Sequence, residues 1–221
     1  MKKVADGIWA VTGGAFPSNS FICQTGRPGE AILIDAGLDP VPIELAFQHL
    51  SLRPTHVFCT HGHFDHIGSA DFFQTRYGVP VHLHPADTKI ARSNNFMLMA
   101  MKMAERIRLP ELTPVNDGSP FAFDAATLRY RSTPGHTPGS CILEWGTHLF
   151  TGDTIFASGV GLSKLPGEDQ TLLRQSIEAA WDDLARFTLH PGHGSSGAGA
   201  QIKRDNVRLR AFLAQNENAA S

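Results

Sequence analysis

Thr60-His61-Gly62-His63-Phe64-Asp65-His66 runs straight out of the apolar segment Val57-Phe58-Cys59 and sets three imidazoles and a carboxylate within six residues. In an ordinary core each of these groups would need its own hydrogen-bond partner, and an unpartnered one costs roughly 1–3 kcal/mol. A bound cation removes that difficulty. Imidazole suits zinc or iron, and a carboxylate keeps the positive charge of such a site in check. The spacing points to two ions: His61 and His63, on a tight turn, converge on one, while Asp65 and His66 face a second. The alternative, a His-rich solvated turn, loses ground once the partners further along the chain are counted.

Those partners lie on either side. Upstream, Ala31-Ile32-Leu33-Ile34 has the pattern of a buried strand and ends in Asp35. Carboxylates at the C-terminal ends of buried strands are placed to work in a crevice. Taken alone, Asp35 is equally a turn residue. Downstream, His148-Leu149-Phe150-Thr151-Gly152-Asp153 repeats the pattern of an apolar strand ending in Asp. Ser132-Thr133-Pro134-Gly135-His136-Thr137-Pro138-Gly139 holds one imidazole between two Pro/Gly pairs, and Pro191-Gly192-His193-Gly194 sets another on a Pro/Gly-pinned turn near the end. A metal tolerates little positional error, so a ligand histidine needs such stiff backbone.

At 221 residues and 24.0 kDa the chain fits one α/β domain over residues 1–215, with 216–221 expected to be a disordered tail. A net charge of -2 offers no basic footprint for nucleic acid. Met1–Gly7 has two lysines and no apolar run of a secretory signal, and no apolar stretch approaches a membrane span. The expected location is cytoplasmic. Cys23, Cys59 and Cys141 lie singly in strand-like runs and read as reduced core thiols.

Periodicity supplies the remaining elements. Helices are expected over 42–50 (with Leu45, Ala46 and Leu50 on one side), 69–77, 94–109, 170–184 and 201–215. Strands are expected at 8–11, 20–23, 31–34, 57–59, 79–84, 121–123, 128–131, 141–145 and 148–152. The 79–84 run puts His82 and His84 on one face, as ligand candidates or as ordinary core and turn residues. The 94–109 segment carries Met97, Met99, Met101 and Met103, which suit a core or dimer-facing helix, or the lid or wall of an apolar substrate pocket.

The ordered set Asp35, His61-x-His63-x-Asp65-His66, His136, Asp153 and His193 resembles the metallo-β-lactamase-fold superfamily over essentially the whole chain. The wording of the motifs is most similar to its glyoxalase II branch, the hydroxyacylglutathione hydrolases. The resemblance implies a four-layer αββα sandwich of two mixed β-sheets with the metals at one edge. It implies a first divalent ion held by His61, His63 and His136, and a second held by Asp65, His66 and His193. Asp153 would bridge them, and Asp35 would support the metal turn from behind. Zinc is the default, with iron or manganese as alternatives. Asp65 and Asp153, with a hydroxide between the ions, would carry the hydrolysis of a small-molecule ester or thioester.

Two departures from the branch stand out. Its usual Gly-Arg-x-Asp-x-Pro-x-Gly loop is here Gly161-Leu162-Ser163-Lys164-Leu165-Pro166-Gly167-Glu168, without the Arg and Asp. In this region Lys164 and Phe156 are candidate substrate contacts, Lys164 being otherwise a solvated loop lysine. Glyoxalase II enzymes also add a basic C-terminal helical domain that grips glutathione, where a single terminal helix is expected here. That difference points away from a glutathione thioester. The alternatives are a lactonase (Phe156 standing where lactonases have Tyr), a persulfide dioxygenase with one iron, and a retired scaffold that binds metal without turnover. Homodimerisation is a further expectation.

Overall fold

Alternation along the strands sorts the side chains into layers. In β3 (Ser18–Gln24), Phe21 and Cys23 point one way and Ile22 the other; in β4 (Glu30–Ile34), Ile32 and Ile34 oppose Leu33. The computed structural model, which describes residues 1–215, shows what each face meets. β1 (Lys2–Ala5), β2 (Ile8–Gly13), β3, β4, β5 (Arg53–Phe58), β6 (Val81–Leu83) and β7 (Leu112–Pro114) form a mixed sheet in sequence order. β8 (Pro120–Ala122), β9 (Thr127–Ser132), β10 (Cys141–Trp145), β11 (His148–Gly152), β12 (Thr188–Pro191) and β13 (Gly197–Ala198) form a second mixed sheet.

Between the sheets, Phe21, Ile32, Ile34 and Phe58 pack with Leu128, Tyr130, Leu143 and Phe150. Burial of such side chains contributes about 1.5–3 kcal/mol each. Helices cover the outer faces. α1 (Pro40–Leu50) and α3 (Ala70–Tyr77) bring Phe47 and Phe73 onto Ile22, Leu33 and Val57. α5 (Gln170–Ala180), α6 (Gly199–Asp205) and α7 (Val207–Ala214) bring Ile177, Ile202 and Phe212 onto Ile142, Leu149 and Leu189. The expected αββα sandwich is the observed fold, completed by the short α2 (Phe64–Ile67) and by α4 (Thr88–Ala100).

Several boundaries differ from the sequence expectation. The methionine-rich helix spans Thr88–Ala100 rather than 94–109. Lys102 closes it in a left-handed conformation (φ 58°), and the Met103 N–H donates back to the Leu98 carbonyl. Asn95 then pairs with both backbone groups of Ile107, holding the following segment out of the helix. In α1 the buried apolar positions are Ile43, Ala46 and Phe47, while Leu45 is exposed. The 170–184 helix stops at Ala180 and is followed by a 3₁₀ turn at Asp183–Arg186. The 201–215 helix is two, broken at Asn206, whose side chain caps α7 through the Leu209 N–H and also grips Phe156 and Gly159.

The three cysteines are buried and free, as read from the sequence. No helix of the described residues is long and apolar enough to cross a membrane. The expected tail at 216–221 lies outside the described residues.

The functional consequence of the topology is alignment. β4 and β5 run parallel, as do β11 and β12, so Asp35, the 60–66 turn, Asp153 and His193 all emerge at strand C-termini. The loop carrying His136 leaves β9 at the same edge of the sandwich, since β9 and β11 both run antiparallel to β10.

Candidate metal centre

Four histidines of the cluster, His61, His66, His136 and His193, are each aimed by a hydrogen bond on the far side of the ring. Asp35, buried at the end of β4 with φ 54°, accepts from the Thr60 N–H (2.7 Å) and the Thr60 hydroxyl (2.8 Å). Its Oδ2 also lies 2.8 Å from His66 Nδ1. Because the Thr60 hydroxyl donates to Asp35, its oxygen accepts from His61 Nδ1, 3.1 Å away. His136 Nδ1 donates to the Gly161 carbonyl and His193 Nδ1 to the Pro17 carbonyl, both at 2.8 Å. With Nδ1 committed, the nitrogen that His61, His66, His136 and His193 would each offer a metal is Nε2, which faces inward.

The inward atoms converge. His61, His63 and His136 can place one ligand atom each within 4.8 Å of one another; so can Asp65, His66 and His193, and so can His61, His66 and Asp153. Asp153 reaches across both groups. Its Oδ1 is 3.4 Å from His66 Nε2, and its Oδ2 is 3.4 Å from His193 Nε2 and 3.6 Å from His136 Nε2. All seven residues expected as ligands therefore meet in one place.

Electrostatics and solvation match a site shaped for cations. Among the described residues, His61 Nε2, His63 Nε2, His66 Nε2 and Asp153 Oδ1 are buried polar atoms without a hydrogen-bond partner. Such orphans are costly unless a bound group completes them. Burial, with His66, His136 and His63 nearby, holds His61 well below the ordinary histidine range, and burial beside His136 brings His63 to about 4. Burial alone would also lower His66 and His193, but the carboxylates outweigh it. Asp65, Asp153 and Asp35 raise His66, and hydrogen bonds to Asp153 and Asp65 lift His193 to about 10. Burial opposes ionisation of Asp65 and Asp153, yet the adjacent His66 and His193 hold both below the usual carboxylate range. The residues fit divalent metal: an imidazole-rich half on one side, and a carboxylate-rich half on the other.

Glycine is required where the walls touch. A Cβ on Gly192 would overlap Asp153 Oδ1 and His66 Cε1. Asn19, from β3, holds the same turn by donating to the Pro191 (2.9 Å) and Gly194 (2.8 Å) carbonyls.

The sequence reading missed Asp87. Its fully buried carboxylate accepts from the Gly62 N–H (2.7 Å), the Thr137 hydroxyl (2.7 Å) and the Gly139 N–H (2.6 Å). It thus clamps the turn of His61 and His63 to the loop of His136. The only local signal was a third strand followed closely by Asp, in His84-Pro85-Ala86-Asp87. His82 and His84 are not part of the centre. His82 stacks on Phe58 (4.7 Å between centroids), and His84 caps the 3₁₀ turn that begins at Pro85.

A cavity of about 300 Å³ opens over the cluster. Phe16, Phe64, Met101, Phe156, Leu162 and Leu165 wall it, with His63, Asp65, His136, Asp153 and His193 at its floor. Phe156 is among the residues lining this cavity, in edge contact with His193. Lys164 is exposed and outside this lining. In place of the Arg and Asp of the glyoxalase II loop, Glu168 accepts from the Lys164 N–H and from both the N–H and the hydroxyl of Ser163.

Residues 13–193 match the family model of the metallo-beta-lactamase superfamily, and the chain belongs to that superfamily of metallo-hydrolases. It is 31% identical over 199 residues to a hydroxyacylglutathione hydrolase of Anaeromyxobacter dehalogenans, covering 86% of this chain and 69% of that protein. The probable metallo-hydrolase MJ0888 of Methanocaldococcus jannaschii is 31% identical over 198 residues, covering 86% of this chain and 94% of that protein. Among solved structures, TTHA1623 in a di-iron-bound form superposes with a TM-score of 0.82 at 29% identity, over 90% of this chain and 98% of that one.

Proposed function

We propose that this chain is a binuclear metal-dependent hydrolase of glyoxalase II type, acting on a thioester or a related ester. The observation that carries this reading is the position of Asp153, whose two oxygens face His66 on one side and both His136 and His193 on the other. His61, His63 and His136 would hold one ion, Asp65, His66 and His193 the other, and Asp153 both. Zinc is the default. The di-iron form of the similar TTHA1623 supports two metals per chain and makes iron the first alternative. When bound, two such ions supply a hydroxide near neutral pH and stabilise the developing oxyanion.

The chain's own residues do the rest. Asp35, through Thr60 and His66, and Asp87, through Gly62 and Gly139, keep the ligand turns rigid, so little reorganisation is needed on the way to the transition state. Phe16, Phe64 and Phe156 shield the floor from bulk water, which strengthens each electrostatic interaction there. Every titratable residue lining the cavity is one of the seven ligands, leaving no separate general acid. This favours a thioester. As water oxygen joins the acyl carbon and the C–S bond breaks, a thiolate departs without needing a proton, because a thiol ionises near 8.5.

The test is metal analysis of the purified protein together with turnover of S-lactoylglutathione and a panel of lactones. Two metals per chain and thioester turnover lost in His61→Ala are the expected results. Lactone turnover without thioester turnover would reassign the chain as a lactonase. One iron per chain would refute the binuclear hydrolase in favour of a persulfide dioxygenase, and two metals with no turnover would indicate a binding protein.

A further inference from the structure

Beside the metal centre lies a second cavity, of about 550 Å³, in the range of pockets that take small organic ligands. Ile90, Phe96, Met97 and Met101 from α4 and its end form one wall, with Pro138 and Leu165 opposite. Met101 and Leu165 also line the cavity over the metal ligands, so the two spaces share a boundary. We infer that the second cavity receives an apolar acyl chain of the substrate, whose carbonyl lies over the metal centre.

The lining offers a polar ligand very little. The Ser93 hydroxyl is already spent on the Ile90 carbonyl (2.8 Å), and Lys89, the one charged member, is solvent-exposed. None of the buried unpartnered polar atoms among the described residues lines this space. Phe96 (67% exposed) and Met101 (41% exposed) present apolar surface that a chain would cover. Methionine adapts to chains of differing shape. The two walls come from α4 and from the 161–168 loop, the latter being the segment where this chain departs from the glyoxalase II wording.

This inference rests on the hydrolase reading for the carbonyl, but its test separates the two. Metal-loaded protein would be assayed with N-acetylcysteamine thioesters from acetyl to octanoyl, and its affinity for butyrate and octanoate measured by calorimetry. Expected is a rise in kcat/KM of up to about fourfold per added methylene, the factor equivalent to ~0.8 kcal/mol per buried CH2. Octanoate should bind at least about tenfold more tightly than butyrate, the two differing by four methylenes. Ser93→Phe, which fills the cavity, and Ala100→Trp, at the exposed end of α4, should each collapse the octanoyl-to-acetyl ratio toward one. Turnover of every thioester at one rate, with equal affinity for the two carboxylates, would overturn the inference and leave the hydrolase intact. No turnover, with octanoate still preferred and the preference lost in Ser93→Phe, would refute the hydrolase and keep the apolar pocket. A dimer that Phe96→Ala converts to monomer, with no chain-length preference before or after, would assign the face to a second copy of the chain and overturn the inference.

Discussion

Asp87 Oδ2 accepts a hydrogen bond from the Thr137 hydroxyl at 2.7 Å, across 50 residues of sequence. The same carboxylate holds the amides of Gly62 and Gly139, so one buried side chain sets the distance between His63 and His136. Those two rings approach to 3.0 Å between Nδ1 and Nε2. In Asp87→Asn the amide NH2 must face a donor it cannot accept from. Metal affinity is expected to fall by about 10–100-fold, the usual range for groups that orient ligands. Competition with a chromophoric chelator measures it, and an unchanged affinity would remove Asp87 from the account of the site.

Protonation of the metal-free centre should govern loading. His193 is lifted to about 10 by Asp153 and Asp65, against the opposing effect of its burial, and His66 is raised as well. A metal takes neutral imidazole, so binding at pH 7.5 releases protons, and affinity climbs as pH rises toward about 10. A raised folded value also stabilises the metal-free protein fully below 6.5, and this contribution is lost as pH rises through about 10. Proton release followed with a pH dye should shrink in His193→Ala.

His82 offers a contrasting case away from the metals. Its ring is buried between Phe58 and Phe121, neither nitrogen has a partner, and burial followed by His56 lowers it from 6.5 to about 4. The unfolded chain therefore takes up a proton that the folded one refuses, and stability falls as pH drops from 6.5 toward 4. His82→Phe should flatten that slope and raise the melting temperature at pH 5. A melting temperature lowered at pH 5 would argue against this.

Close packing at the floor of the site makes Gly192 intolerant of any side chain. In Gly192→Ala the new Cβ must displace Asp153 or His66, so the second metal should be lost first. Metal analysis should give about one ion per chain with the fold retained by circular dichroism, and thioester turnover should fall by at least about 100-fold. Retention of two metals would show that the turn can yield.

The sequence by itself determined whatever short-range geometry dictates. The two-residue alternation of Phe21-Ile22-Cys23 and Ile32-Leu33-Ile34 separates an inner from an outer sheet face, because successive strand residues point to opposite sides. The Pro/Gly-pinned histidines were legible for a similar reason: such dipeptides stiffen a turn wherever it lies. Three imidazoles and a carboxylate in six residues require compensation in any fold.

Tertiary structure decided what depends on distant partners. Periodicity ran the methionine helix on to 109, whereas Asn95 and Ile107, twelve residues apart in sequence but hydrogen-bonded in space, ended it at Ala100. Leu45 looked like core, but α1 turns Ile43 and Phe47 inward because those positions face Val57 and Phe73. Asp87 had only a weak local signal, a strand followed closely by Asp, since its partners come from two loops that only the packed sheets bring together. The cavity beside the metal centre is likewise a property of α4 lying against Pro138 and Leu165, a proximity no local pattern encodes.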